Sequence, residues 1–204
     1  MADQLLDIGA KAPAFSLPRD GGDTVSLDDF AGKPVVLFFY PKASTPGCTN
    51  EALDFTRLHQ AFVDAGAVVL GASKDSVKKQ ENFAAKQELT VPLLSDAEGT
   101  LCEDYGVWGE KKMYGKTFMG ITRTTYLIGA DGKIAQVWPK VKVPGHADEV
   151  LAAVKALGSI GGGLAKRALT KCLEMGDEAM EEAATAALSS AEFDDDPLGF
   201  TFES

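Results

Sequence analysis

The 204-residue sequence predicts an α/β fold, a central mixed β-sheet flanked by helices, with a C-terminal helical extension. Three observations carry that expectation. An unbroken apolar run, Val35 to Tyr40, reads as a strand buried on both faces. Strand-like and helix-like segments alternate after it, as they do where helices cover both faces of a sheet. A glycine-rich breaker, GSIGGG at 158–163, then separates this alternation from a tail of different composition.

Residues 1–30 are polar and turn-rich, and short alternating pieces at Ala14–Leu17 and Thr24–Leu27 predict small strands. The central strand follows from Pro34. A turn, PKASTPG, leads to CTNEALDFTRLHQAFVDAG, in which Ala52, Phe55, Leu58, Phe62 and Val63 recur at near-helical spacing until Gly66 ends the pattern. Cys48 therefore opens a helix. Next come a strand at Val68–Ala72, a helix near Ser76–Glu88, a short strand at Val91–Leu94 and a short helix from Thr100. Thr124–Ile128 and Lys133–Trp138 are β-rich runs joined by GADG, a hairpin signal because Gly and Asp tolerate positive φ. A last helix is expected at Ala147–Leu157. Strand, helix, strand, helix, hairpin, helix is the order of a thioredoxin-like sheet.

Residues 1–157 are thus expected to form one domain, and 158–204 an acidic, helical extension tied on by glycines. The extension carries 3 Lys+Arg against 10 Asp+Glu, and so holds most of the formal charge of -10. That negative balance argues against nucleic acid as a partner, which needs a basic footprint. No apolar run approaches the ~20 residues that cross a bilayer, so no membrane helix is expected. The start lacks a basic segment followed by an apolar stretch and a cleavage site, so no secretory signal is read and the cytoplasm is the expected location. Cys48, Cys102 and Cys172 are odd in number and widely spaced, a poor disulfide framework and a poor zinc site; no metal is expected.

The chemistry gathers at Cys48. In the first turn of a helix, a thiol meets unpaired backbone N–H groups and the positive end of the helix dipole, which stabilise its thiolate. Pro46 and Gly47 turn the chain sharply out of the buried strand, bringing the thiol to the carboxyl edge of the sheet, where α/β proteins bind ligands. Thr45 stands three residues earlier, where a dithiol oxidoreductase of C-x-x-C type carries its second cysteine. One sulfur and one hydroxyl do not perform dithiol exchange. They suit a small polar substrate such as a peroxide, one oxygen held by the hydroxyl and the other attacked by the thiolate.

FFYPKASTPGCTNEA resembles the active-site loop of the peroxiredoxins, whose pattern P-x-x-x-T-x-x-C is met by Pro41, Thr45 and Cys48. With Gly47 and Glu51 the context is most similar to the peroxiredoxin Q group, also called bacterioferritin comigratory protein. The likeness runs over roughly residues 8–157 by the order of elements, through GAKAPAFSLP, LLSDAEG, YGVWGEKKMYG and ITRTTYLIGADGKI. It implies a thiol-dependent peroxidase acting on hydrogen peroxide and organic hydroperoxides through a cysteine sulfenic acid, with no metal or organic cofactor. The family's catalytic arginine maps onto Arg123, a cation suited to favour the thiolate and hold peroxide oxygens. Pro41 would shield the thiolate. Glu51 is either a complement to the helix dipole or part of a polar network positioning Arg123. His59 and His146 are read as surface residues outside the site, because a cysteine activated by arginine and a helix terminus needs no histidine base.

A sulfenic acid must be met by a second thiol. Many peroxiredoxin Q proteins place it five residues after the first cysteine, where this chain has Leu53. Three routes stay open: an external thiol, ranked first; Cys102, which would need local unfolding; and Cys172 from the tail. The resemblance implies thioredoxin as reductant if a disulfide forms, and glutaredoxin, glutathione or another low-molecular-weight thiol if none does. The chain is expected to be a monomer or a dimer. The competing class is a non-catalytic thioredoxin-like binding or chaperone module, against which Thr45, Cys48 and Arg123 together argue.

Overall fold

The computed structural model describes residues 5–113 and 115–158. The expected helical extension from 158 onward lies, but for its first residue, outside the described residues. All packing below belongs to the unit that ends at Val154.

A two-stranded ribbon opens the fold, β1 (Ser16–Pro18) antiparallel to β2 (Thr24–Ser26), followed by a 3-10 turn at Leu27–Phe30. The sheet has five strands in the order β5-β4-β3-β8-β9. β3 (Val35–Phe39) lies at its centre, parallel to β4 (Val68–Ser73) and antiparallel to β8 (Thr124–Ile128). β5 (Leu93–Ser95) pairs parallel to β4, and β9 (Ile134–Trp138) antiparallel to β8. The sheet is mixed, as expected, and the fold is thioredoxin-like.

The unbroken apolar run of β3 has a direct cause. Successive side chains point to opposite faces of a sheet, and both faces of β3 are covered. Val35, Leu37 and Phe39 belong to a core with Leu101, Cys102, Tyr105, Ile121 and Tyr126. Phe38 and Tyr40 face the other way. Phe38 stacks on Phe55 with ring centroids 4.5 Å apart, and Tyr40 lies 6.2 Å from Phe83. At Gly71 a Cβ would sit 2.7 Å from the Phe38 ring, so β4 needs glycine there to let that ring lie flat on the sheet.

Phe55 lies on α1 (Pro46–Arg57) and Phe83 on α3 (Val77–Gln87). The expected single helix to Gly66 is broken at Leu58, whose φ of -95° and ψ of 2° leave the helical region; α2 (His59–Asp64) then resumes. A short α4 (Leu101–Asp104) follows β5, and α5 covers 146–158. One element was not legible: an antiparallel hairpin of β6 (Trp108–Met113) and β7 (Lys116–Ile121), paired from Trp108 with Ile121 to Met113 with Lys116. β7 exposes Phe118 and Met119. Its sequence shows no alternation of apolar and polar residues by which a half-buried strand is read.

Candidate active site

Thr45 is the N-cap of α1, with extended backbone, and Pro46 occupies the first helical position, where its missing N–H costs nothing. Cys48 is thus the third helical residue rather than the first, still within the turn whose N–H groups lack intrahelical partners. Its side chain is 1 % exposed. Glu51 follows on the same helix face, three residues on, and is also 1 % exposed.

Arg123 reaches this face from the short link between β7 and β8, where its carbonyl accepts the Val141 amide at 2.9 Å. Its Nη2 donates to Cys48 Sγ at 3.3 Å, and its Nη1 donates to Glu51 Oε2. One guanidinium therefore bridges two residues of a single helix turn. Gly47 makes room for it: a Cβ there would stand 3.3 Å from Arg123 Nη2. Of the expected site residues, Cys48, Glu51, Gly47 and Arg123 thus meet directly.

Burial works against the Arg123 cation, but its electrostatic attraction to and hydrogen bonds with Glu51 and Cys48 outweigh it and hold the group above its ordinary value. For Glu51 the balance is reversed. Its burial exceeds the attraction and hydrogen bond of Arg123, and the carboxyl is pushed up to about 7. Its Oε1 has no hydrogen-bond partner among the described residues, in keeping with an incompletely compensated carboxylate.

Thr45 donates its hydroxyl proton to the Lys42 carbonyl at 2.9 Å, which leaves its oxygen lone pairs for a substrate. Pro41 stands exposed on the same loop. Beside it opens a cavity of about 490 Å³ whose walls include Trp108, Lys111, Phe118, Met119 and Ile121. Lys111 donates to the Ile121 carbonyl, and burial together with the nearby Arg123 cation lowers its pKa against the pull of Cys48. Lys111 was missed with its hairpin; the dense basic stretch EKKMYGK at 110–116, upstream of Arg123, was its signal in the sequence.

Cys102 is not part of this constellation. It lies on α4 with its side chain fully buried in the core, its amide bonded to Asp96 Oδ2 at 2.9 Å, and burial followed by the Asp96 charge pushes its thiol far above the ordinary range. Neither Cys48 nor Cys102 is in a disulfide. Cys172 lies outside the described residues. His146 is corrected: it is 5 % exposed rather than on the surface, its Nε2 2.8 Å from Thr125 Oγ1 and its ring edge-on to Phe55 and Trp138. Burial lowers its pKa. His59 is half-buried.

Residues 8–137 match the AhpC/TSA family. The chain belongs to that family of peroxiredoxins. It is 53 % identical over 146 residues to the putative peroxiredoxin Bcp of Coxiella burnetii, covering 72 % of this chain and 97 % of the relative. It is 49 % identical over 156 residues to peroxiredoxin Bcp of Xanthomonas campestris, 76 % of this chain and 98 % of that one. A solved Xylella fastidiosa PrxQ variant superposes with a TM-score of 0.71 at 42 % identity, covering 75 % of this chain and 98 % of that one. The bacterioferritin comigratory protein of X. campestris, solved in connection with its alkyl peroxide reduction activity, gives a TM-score of 0.68 at 50 % identity, over 71 % and 92 %. Peroxiredoxins are thiol-dependent peroxidases, with a peroxide as substrate and a thiol as reductant, and this chain is an enzyme of that kind. Among the described residues no helix is long and apolar enough to cross a membrane.

Proposed function

We propose that Cys48 is the attacking thiolate of this peroxiredoxin and that Thr45, Arg123 and Pro41 form the catalytic site around it, with Glu51 and Gly47 in support. The single observation that carries the reading is the Arg123 Nη2 hydrogen bond to Cys48 Sγ at 3.3 Å. It sets a permanent cation against the sulfur and beside the place where a peroxide must lie.

In the proposed step Cys48 Sγ attacks the terminal oxygen of R–O–O–H. The S–O bond forms as the O–O bond breaks; sulfur is oxidised, the peroxide is reduced, and R–O⁻ leaves and takes up a proton. Thr45, its own proton committed to Lys42, accepts from the peroxide hydroxyl. Arg123 donates to the oxygens as charge passes to the leaving one. Pro41 limits access to a sulfur that is already almost wholly buried. The cavity beside Pro41, with Trp108, Phe118 and Met119 in its wall, supports organic hydroperoxides as substrates along with hydrogen peroxide.

The resulting Cys48 sulfenic acid condenses with a thiol, releasing water and forming a disulfide. An external thiol is the proposed partner, because Leu53 stands five residues after Cys48, where many peroxiredoxin Q proteins carry the second cysteine, and Cys102 is locked in the core. Thioredoxin, glutaredoxin or a low-molecular-weight thiol fits that role. We place the enzyme in the cytoplasm, as a monomer or a dimer. The test is one equivalent of peroxide in the presence of dimedone, followed by peptide mass spectrometry. The adduct is expected on Cys48 with Cys102 unmodified; a Cys48–Cys102 disulfide in place of the adduct would refute the external route.

A further inference from the structure

A buried chain of hydrogen bonds beneath the active-site loop is not used by the steps above. Tyr40 Oη donates to Gln80 Oε1. Gln80 Nε2 donates to Ser73 Oγ at 2.9 Å and to the Leu94 carbonyl at 3.1 Å. Ser73 Oγ donates to Asp75 Oδ2 at 3.0 Å. The same Oδ2 accepts the Ala43 amide at 2.7 Å, and Ser95 Oγ donates to the Asp75 carbonyl at 2.7 Å. Tyr40, Ser73, Asp75, Gln80 and Ser95 are all buried.

The donors fix the direction of this chain. Tyrosine gives to glutamine, glutamine to serine, serine to aspartate, so this series of donors runs one way, toward Asp75 Oδ2. A side chain with oxygen acceptors at that point satisfies the whole series. Of the elements it joins, β4 is paired on both sides within the sheet and α3 is a regular helix; the Ala43 amide belongs to the loop of Pro41 and Thr45. Ser44, directly after Ala43, has a φ of 61°, a left-handed conformation that serine seldom adopts and that surrounding contacts must hold.

We propose that Asp75 is a positioning residue for peroxide reduction, clamping the Ala43 amide so that the strained turn at Ser44 presents Thr45 in register with Cys48. The inference rests on the reading of Thr45 and Cys48 given above. Asp75 touches neither residue; it acts through the backbone between them and the sheet. Lys79, whose Nζ lies 3.6 Å from Asp75 Oδ1, faces its other oxygen.

The test is the single-turnover rate of Cys48 oxidation by peroxide in the full chain, with thermal unfolding measured alongside. Asp75→Ala is expected to slow oxidation on the order of 10- to 100-fold, the scale of a small misplacement of reacting groups. Asp75→Asn restores most of the rate, since its amide oxygen accepts from both Ser73 and Ala43. In a Thr45→Val background Asp75→Ala costs little more, because the group it places is gone. Full slowing in that background, no slowing in the parent, or Asp75→Asn as slow as Asp75→Ala overturns the inference. Hydrogen exchange in the unaltered chain is an arm that needs no variant to fold: the Ala43 amide should exchange as slowly as core amides, and exchange as fast as the exposed loop overturns the clamp. A wild type that does not oxidise at Cys48 defeats the reading of the site; a normal wild type with an indifferent Asp75→Ala defeats this inference alone.

Discussion

Replacing Glu51 by glutamine should stabilise the protein, by an amount that grows as pH rises from 4.5 through 7 and then holds. The carboxyl is buried, one of its oxygens lacks a partner among the described residues, and burial overrides Arg123 to push it from 4.5 to about 7. Between those values the folded chain keeps a proton that the unfolded chain has released. The stability of the neutral form is therefore fully present below pH 4.5 and is lost as pH rises through 7. A displacement of that size corresponds to ~3 kcal/mol by pH 8. Glutamine keeps the shape and stays neutral throughout. Urea unfolding followed by Trp108 and Trp138 fluorescence should show Glu51→Gln close to wild type at pH 5 and more stable by ~3 kcal/mol at pH 8. Titrating groups remote from the Glu51–Arg123–Cys48 network are common to both proteins and cancel. A variant less stable than wild type at pH 8 would refute the reasoning, because the ionised Glu51–Arg123 pair would then outweigh its burial cost.

Two further outcomes follow from the same geometry. Arg123→Ala should slow Cys48 oxidation by on the order of 10²- to 10³-fold in stopped-flow measurements, the usual cost of losing a donor to developing negative charge. Phe55→Ala should cost about 3–5 kcal/mol in urea unfolding, because Phe55 is fully buried and packs against Phe38, Phe62 and His146.

The parts of the fold legible in the sequence are those where one residue pattern has one physical solution. A short unbroken apolar run rich in β-branched and aromatic residues fits a strand covered on both faces, and β3 is that strand. Part of the candidate site's geometry was legible for a similar reason: Glu51, three residues after Cys48 on one helix, must share its face, and Gly47 leaves the space that Arg123 fills. The arginine itself, 75 residues away, was reached by resemblance rather than by periodicity. The β6–β7 hairpin escaped because a mixture of Gly, Lys and exposed apolar residues carries no period. His146 was misplaced because its partners, Thr125, Phe55 and Trp138, come from three other elements, and nothing local marks it as buried. Asp75 was passed over for the same reason; its meaning lies in an amide 32 residues earlier. Long-range polar partnerships leave no spacing to read, whereas helical faces and covered strands do.

The central claim is that peroxide is consumed at Cys48. Peroxide loss with an external dithiol, measured for wild type and for Cys48→Ser at matched folded concentration, tests it most directly. Steady turnover is expected in the wild type and background loss in the variant; a Cys48→Ser protein that turns over peroxide at the wild-type rate would contradict the assignment.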